Sequence, residues 1–458
     1  MGPQLGANGS EDCLFLNIFT PLLPDVGNNT AGPHLEPVIF YIHGGAFATG
    51  AGSISVYDGG NLASRGDVVV VTINYRLGPL GFLTLADNST NGNYGLADQT
   101  VAVNWVHKHI SSFGGDPQRI TIFGQSAGAS SVKYMLGSPK AVGKFAAAMA
   151  FSNIGGIGRY AGYDNLLPIA TAAEEVYEPI VAAAGCSNVI SQVECLRSVP
   201  ASDLLQLASE VLQFAYPLAY FPVVDGTYVI SSEMFLNGSG LVAHIPLLMG
   251  NLRDEAASLL IYPDTTNVTE AIQNNDFDAA VYNKNFALFP TPSGPNTTLD
   301  VFNVTTHLGT DGSVRCVDQA IAYAGVVNQI FASVWYYEYE RSYQLASFDT
   351  TSPVCDAPIN TVHPFGDTSL PYFRQVGSHN LTGLDSALFI EYLIIFYRCH
   401  GGDLYYSFGN LAREGRPFRD QVDLPFSQLI VDSFTSFARD HNPNPSLSFL
   451  QARDFVRT

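Results

Sequence analysis

The chain has 458 residues, 47% hydrophobic and 14% charged, with a formal net charge of −20. That much apolar content can bury a large core, which excludes wholesale disorder, and so acidic a chain lacks the basic surface that nucleic acid or an anionic membrane would require. No run of about 18 uncharged apolar residues occurs, so no transmembrane helix is expected.

In chain order, the opening MGPQLGANGSEDC has neither the basic start nor the apolar core of a signal peptide. Val38–Ile42 and Val68–Ile73 are unbroken apolar runs, the pattern of strands buried on both faces of a sheet. After the first comes His43-Gly44-Gly45-Ala46-Phe47. Its glycines would let backbone N–H groups point into a cavity, where a donor stabilises an oxyanion by about 3 kcal/mol. A plain glycine turn with a structural or metal-binding His43 is the alternative. Leu96 to Ile110 has helical spacing, stopped by Phe113-Gly-Gly-Asp-Pro117. Ile120–Phe123 then reads as a strand running into Gly124-Gln125-Ser126-Ala127-Gly128, and the residues after it suit a helix. A serine at the apex of so tight a strand-to-helix turn has its hydroxyl exposed beside a helix N-terminus, as a nucleophile requires. The pentapeptide alone is weak evidence, because 42 glycines would produce it by chance in roughly one such chain in three.

Phe145–Phe151 and Pro246–Met249 read as further strands, and Ser427–Arg439 as a helix. Residues 160–245 and 262–330 are less regular and are expected to form a helical cap. Strands alternating with helices imply an α/β fold with a mostly parallel sheet, whose catalytic groups gather beyond the strand C-termini. No repeat or linker divides the chain, so 1–458 is expected to form one domain. Eight Asn-x-Ser/Thr sequons, at Asn8, Asn28, Asn88, Asn237, Asn267, Asn296, Asn303 and Asn380, call for surface exposure and a secretory route. The six cysteines fit no zinc spacing, so disulfides in an oxidising compartment are expected, and with them an extracellular location.

Six motifs in order carry a more specific signal. They are Ser-Glu-Asp-Cys-Leu-Phe-Leu-Asn (10–17), the His-Gly-Gly loop, Asn-Tyr-Arg-Leu-Gly (74–78), Gly-Asn-Tyr-Gly-Leu-Ala-Asp-Gln (92–99), Phe-Gly-Gly-Asp-Pro (113–117) and the serine turn. Together they closely resemble the type-B carboxylesterase/lipase family, the cholinesterase-like branch of the α/β-hydrolase fold, and within it the secreted fungal members. The resemblance implies a Ser-Glu-His triad that hydrolyses a small-molecule or lipid ester without metal or organic cofactor. It implies Ser126 as nucleophile and the amides of Gly45, Ala46 and Ala127 as oxyanion donors, with Ala46 where relatives commonly have glycine. Leu247 to Glu255 resembles the family's acid segment, which makes Glu255 the triad carboxylate and Asp254 its neighbour; without the family the pair would read as a solvated helix start. The order Ser, acid, His leaves His307, His363, His379, His400 and His441 as bases. Arg398-Cys-His-Gly-Gly-Asp403 resembles the family's histidine stretch with Asp for Glu, so His400 is chosen, ahead of His363.

Tyr216 and Leu218 align loosely with acyl-pocket positions of the family. Cys186–Cys195 resembles a short disulfide loop of the family, with Cys355–Cys399 a second pair. Relatives carry strands, and a partner for Cys13, upstream of the first motif, so the fold is expected to be shortened at both ends. Residues 375–397 match nothing in the family and are expected to be an anomalous insert ahead of the base. The alternative is a catalytically impaired or non-catalytic protein on the same fold; neuroligin-like relatives of the second kind typically lose the serine, whereas here Ser126, Glu255 and His400 are all present.

Overall fold

The structure is a computed structural model; it describes residues 10–23, 34–155, 166–212, 222–294, 296–345, 354–357, 359–368 and 397–452. Nine strands occur among them: β1 (Leu16–Phe19), β2 (Glu36–Ile42), β3 (Val69–Ile73), β4 (Gly115–Gln125), β5 (Ala147–Phe151), β6 (Leu167–Pro168), β7 (Val223–Val224), β8 (Pro246–Leu252) and β9 (Ser333–Tyr339). Seven make one sheet in the order β1-β3-β2-β4-β5-β8-β9, while β6 and β7 pair separately. Within the large sheet β1 runs antiparallel to β3 and every other neighbour is parallel.

Alternate residues of each central strand enter opposite cores. Val38, Phe40 and Ile42 of β2 pack with Leu96, Val103 and Val106 of the helix Tyr94–His109 and with Val132 and Met135 of the helix Ala127–Leu136. Ile39 and Tyr41 pack on the other face with Phe434 and Phe437 of the helix Asp423–Asp440. With both faces covered, most of these positions hold apolar side chains, and the strands read as near-continuous apolar runs.

The expected strands and helices are present, with ends moved by a few residues. The regions expected to be helical contain helices at 169–183, Gln192–Ser198, Ala201–Leu212, Val268–Asn274, Ala279–Asn285, Thr297–Thr310 and Cys316–Val327. Sequence reading missed β1 and β9. The first is four residues long, and the second is an edge strand whose Ser-Val-Trp-Tyr-Tyr-Glu-Tyr is mostly half-buried, so it shows no clean alternation. Its aromatic and β-branched content was the available signal.

Both expected disulfides form, Cys186–Cys195 and Cys355–Cys399, and Cys13 and Cys316 are free. Among the described residues no helix is long and apolar enough to cross a membrane. Asn88, Asn237, Asn267 and Asn296 are exposed, as a glycan acceptor must be. Asn303 is not: it lies inside the helix Thr297–Thr310, 2% exposed, and its Oδ1 accepts the Tyr397 hydroxyl. The sequon there is corrected to a core residue. Asn8, Asn28, Asn380 and residues 375–396 of the expected insert lie outside the described residues. Tyr397, the last residue of that segment, is buried against Phe302.

Candidate active site

Three strand C-termini converge on one region. The first, β2, ends at Ile42 and releases the loop His43–Phe47. Gly45, Ala46 and Phe47 all have positive φ, at 115°, 55° and 58°. Only the first is glycine, so the loop holds two side-chain-bearing residues in a sparsely populated conformation. Ala46 therefore occupies a backbone state that glycine adopts at no cost. The amides of Gly45 and Ala46 donate no hydrogen bond to the described residues, while the Gly45 carbonyl accepts from the Ala48 and Thr49 amides and fixes the turn. Burial lowers the His43 pKa to about 4, so its ring is neutral at ordinary pH. Its Nδ1 donates to the Gly44 carbonyl at 2.7 Å, and the ring stacks on Tyr75, whose hydroxyl donates to the His43 carbonyl at 2.8 Å. His43 thus braces this loop.

The next strand, β4, ends at Gln125 and turns through Ser126 into the helix Ala127–Leu136. Ser126 has φ 60° and ψ −126°, the strained turn expected from the sequence. Its glycines are required by contact. A Cβ on Gly124 would lie 2.1 Å from the Gly128 carbonyl oxygen, and one on Gly128 would lie 2.0 Å from that of Ile42. Gly44 presses on the same turn, since its Cβ would lie 2.8 Å from the Ser126 Cβ. The loop after β2 and the serine turn therefore touch directly. Ala127 is the first residue of its helix, so its N–H has no partner within the helix.

Glu255 follows β8. Both Asp254 and Glu255 are wholly buried, which overturns the solvated reading of the pair. Asp254 forms an ion pair with Arg253 at 2.8 Å, and its Oδ2 accepts the Arg398 amide at 2.8 Å. The Asp254 amide donates to the Arg398 carbonyl at 3.1 Å, and the His400 amide to the Glu255 carbonyl at 3.3 Å. These bonds splice residues 398–400 onto the acid loop, 144 residues away in sequence. The Cys355–Cys399 disulfide and a bond from Gln344 to the His400 carbonyl, at 3.0 Å, hold the same segment from the other side.

So held, His400 Nδ1 lies 2.6 Å from Glu255 Oε2, and Glu255 Oε1 accepts the Leu252 amide at 2.7 Å. Both side chains are almost fully buried. On the far side of the ring, Nε2 lies 3.3 Å from Nε2 of Gln125, the residue before Ser126. The structure thus brings the serine turn, the glycine loop, Glu255 and His400 together. His363, the second choice for the base, lies elsewhere, half-buried and 3.6 Å from Asp367. Tyr216 and Leu218 lie outside the described residues.

Two residues of the site were not assigned a role from the sequence. Gln125 lies in the variable position of the pentapeptide, and its contact with His400 spans 275 residues. Asp403 was noted only as a replacement for glutamate. Burial, with a smaller contribution from the Glu255 charge, pushes its carboxyl up to about 7.

Residues 2–454 match the family described as the Carboxylesterase family. The chain is 30% identical to juvenile hormone esterase of Tribolium castaneum over 454 residues, which is 95% of this chain and 71% of that one. It is 35% identical to human neuroligin-2 over 302 residues, 63% of this chain, but spans only 34% of the relative. A solved PNB esterase structure superposes with a TM-score of 0.68 at 28% identity, covering 96% of this chain and 77% of that one.

Proposed function

The chain belongs to the carboxylesterase family, and we propose that it hydrolyses carboxylic esters through Ser126, His400 and Glu255. The observation that carries this reading is the buried 2.6 Å pair of His400 and Glu255, whose imidazole faces the turn that bears Ser126. Glu255 fixes the ring with its proton on Nδ1, which leaves Nε2 to act as base. His400 removes the Ser126 proton as the serine oxygen attacks the ester carbonyl. The tetrahedral oxyanion rests on the amides of Gly45, Ala46 and Ala127. Collapse expels the alcohol, which takes the proton from His400. Water then repeats the sequence on the acyl-enzyme and releases the acid.

A non-catalytic member of the same fold needs neither a strained serine nor uncommitted amides beside it, and both are kept here. The chain acts in this reading as one hydrolase domain, with 375–397 an insert ending at the core residue Tyr397. Two disulfides and four exposed sequons support an extracellular location. Ser126→Ala decides the matter. It is expected to reduce hydrolysis of a short-chain aryl ester by at least about a thousandfold, and an organophosphate is expected to label Ser126. Full activity in the variant, with labelling at another residue, refutes the proposal.

A further inference from the structure

Gln125 is wholly buried, and only one end of its amide is engaged. The charge logic of the site fixes which end faces His400. A carboxylate can only accept, so the 2.6 Å contact with Glu255 places the ring proton on Nδ1 and leaves Nε2 as a bare lone pair. Only the NH₂ end of an amide can meet a lone pair, and the Gln125 Nε2 does so at 3.3 Å. The other end, Oε1, is buried with no hydrogen-bond partner among the described residues.

The lone pair that must receive the serine proton is therefore already occupied, and Ser126 Oγ makes no hydrogen bond among the described residues. His400 is held tightly through Nδ1 and loosely through Nε2. A 3.3 Å contact lies at the long end of the hydrogen-bond range, and the amide has no second anchor. Exchanging that partner for the serine hydroxyl leaves the Glu255 side undisturbed.

We propose that Gln125 is a positioning residue: the resting partner of His400, which yields the Nε2 lone pair to Ser126 when an ester enters. This rests on the reading of Ser126, His400 and Glu255 as the reacting relay. The resting hydroxyl is then less nucleophilic than an unlatched one, and reagents that do not displace the amide react slowly.

The test uses the full chain and two variants. Gln125→Met keeps the approximate volume and removes the hydrogen bond; Gln125→Glu puts an acid against the same nitrogen. The probe is a diethyl aryl phosphate, and the readout is the rate at which Ser126 is labelled, followed by phenol release and intact mass. At pH 8 the Met variant is expected to be labelled about three- to tenfold faster than the parent, the worth of one ordinary hydrogen bond. The Glu variant is expected to move the acidic limb of the labelling rate upward by at least about one pH unit, because a carboxylate in contact with the ring favours its protonated form. Glu255 and Asp403, the ionisable neighbours of His400, are the same in both variants. A Met variant that keeps its thermal midpoint and is labelled no faster than the parent overturns the proposal. If that variant does not fold, an unshifted limb in the Glu variant overturns it equally. A parent chain that is not labelled at Ser126 at all overturns the functional reading first, and the latch with it.

Discussion

Replacing Asp403 by asparagine should stabilise the protein, and should do so far more at pH 8.5 than at pH 5. Asp403 is 1% exposed and its Oδ1 has no hydrogen-bond partner among the described residues, so ionisation there is opposed by burial and further by the nearby charge of Glu255. The carboxyl consequently titrates near 7 in the folded chain against 3.8 ordinarily. Since the folded value is the higher one, between about pH 4 and 7 the native chain holds a proton that the unfolded chain has shed. Stability therefore falls as pH rises through that window and levels off above it. The penalty is of order 2 kcal/mol at pH 5 and about twice that at pH 8.5. Asp403→Asn removes the ionisation and leaves the shape. Any cost of burying the new amide appears equally at both pH values, so the informative quantity is the difference between them, about 2–3 kcal/mol. For a chain of this length that corresponds to about 3 °C in midpoint. Urea titrations of parent and variant at the two pH values measure it directly. An equal effect of the substitution at both pH values would mean that Asp403 is ionised throughout and the reasoning fails.

Three further outcomes are expected. Gly44→Ala places a Cβ 2.7 Å from the Gln125 carbonyl oxygen and 2.8 Å from the Ser126 Cβ, so kcat/KM for an aryl ester should fall at least about 100-fold while circular dichroism stays native; unchanged turnover would show that the loop and turn are not pressed together. Replacing Cys186 and Cys195 by serine opens a loop of sequence separation 9 and should cost about 2–3 kcal/mol in a urea titration, whereas an unchanged midpoint would mean that the loop is closed in the unfolded chain by other contacts. Secreted from a eukaryotic host, the chain should carry glycans at Asn88, Asn237, Asn267 and Asn296 but none at Asn303, and glycopeptide mapping that finds Asn303 occupied contradicts its burial.

The parts of the site readable in the sequence are those whose constraint is local. Gly124, Ser126 and Gly128 report a turn too tight for other residues, and each glycine is explained by a neighbour within five residues or by the adjoining strand. Glu255 is read as the acid only through its resemblance to the family's acid segment, since the residues alone read as a solvated helix start. Choosing His400 among five histidines required the family pattern, because its contacts with Glu255 and Gln125 span 145 and 275 residues. No spacing rule encodes such contacts. The same limit explains Asn303, whose sequon is a three-residue pattern while its burial depends on Tyr397, 94 residues on. The missed strand β9 shows the converse: its composition favours a strand, but an edge position blurred the alternation that would have marked it.

The order in which the chain supplies these groups has a bearing on its synthesis. The serine turn and the glycine loop come from β4 and β2, which are neighbours in the sheet and complete by residue 125. The proposed base follows about 275 residues later. At about 5–20 residues per second, a ribosome takes roughly a quarter of a minute to a minute to cover that distance. Throughout that interval the nascent chain carries Ser126 without His400, the base proposed for it. On the proposed roles, the chain acquires its base only when most of the fold around the serine has already been made.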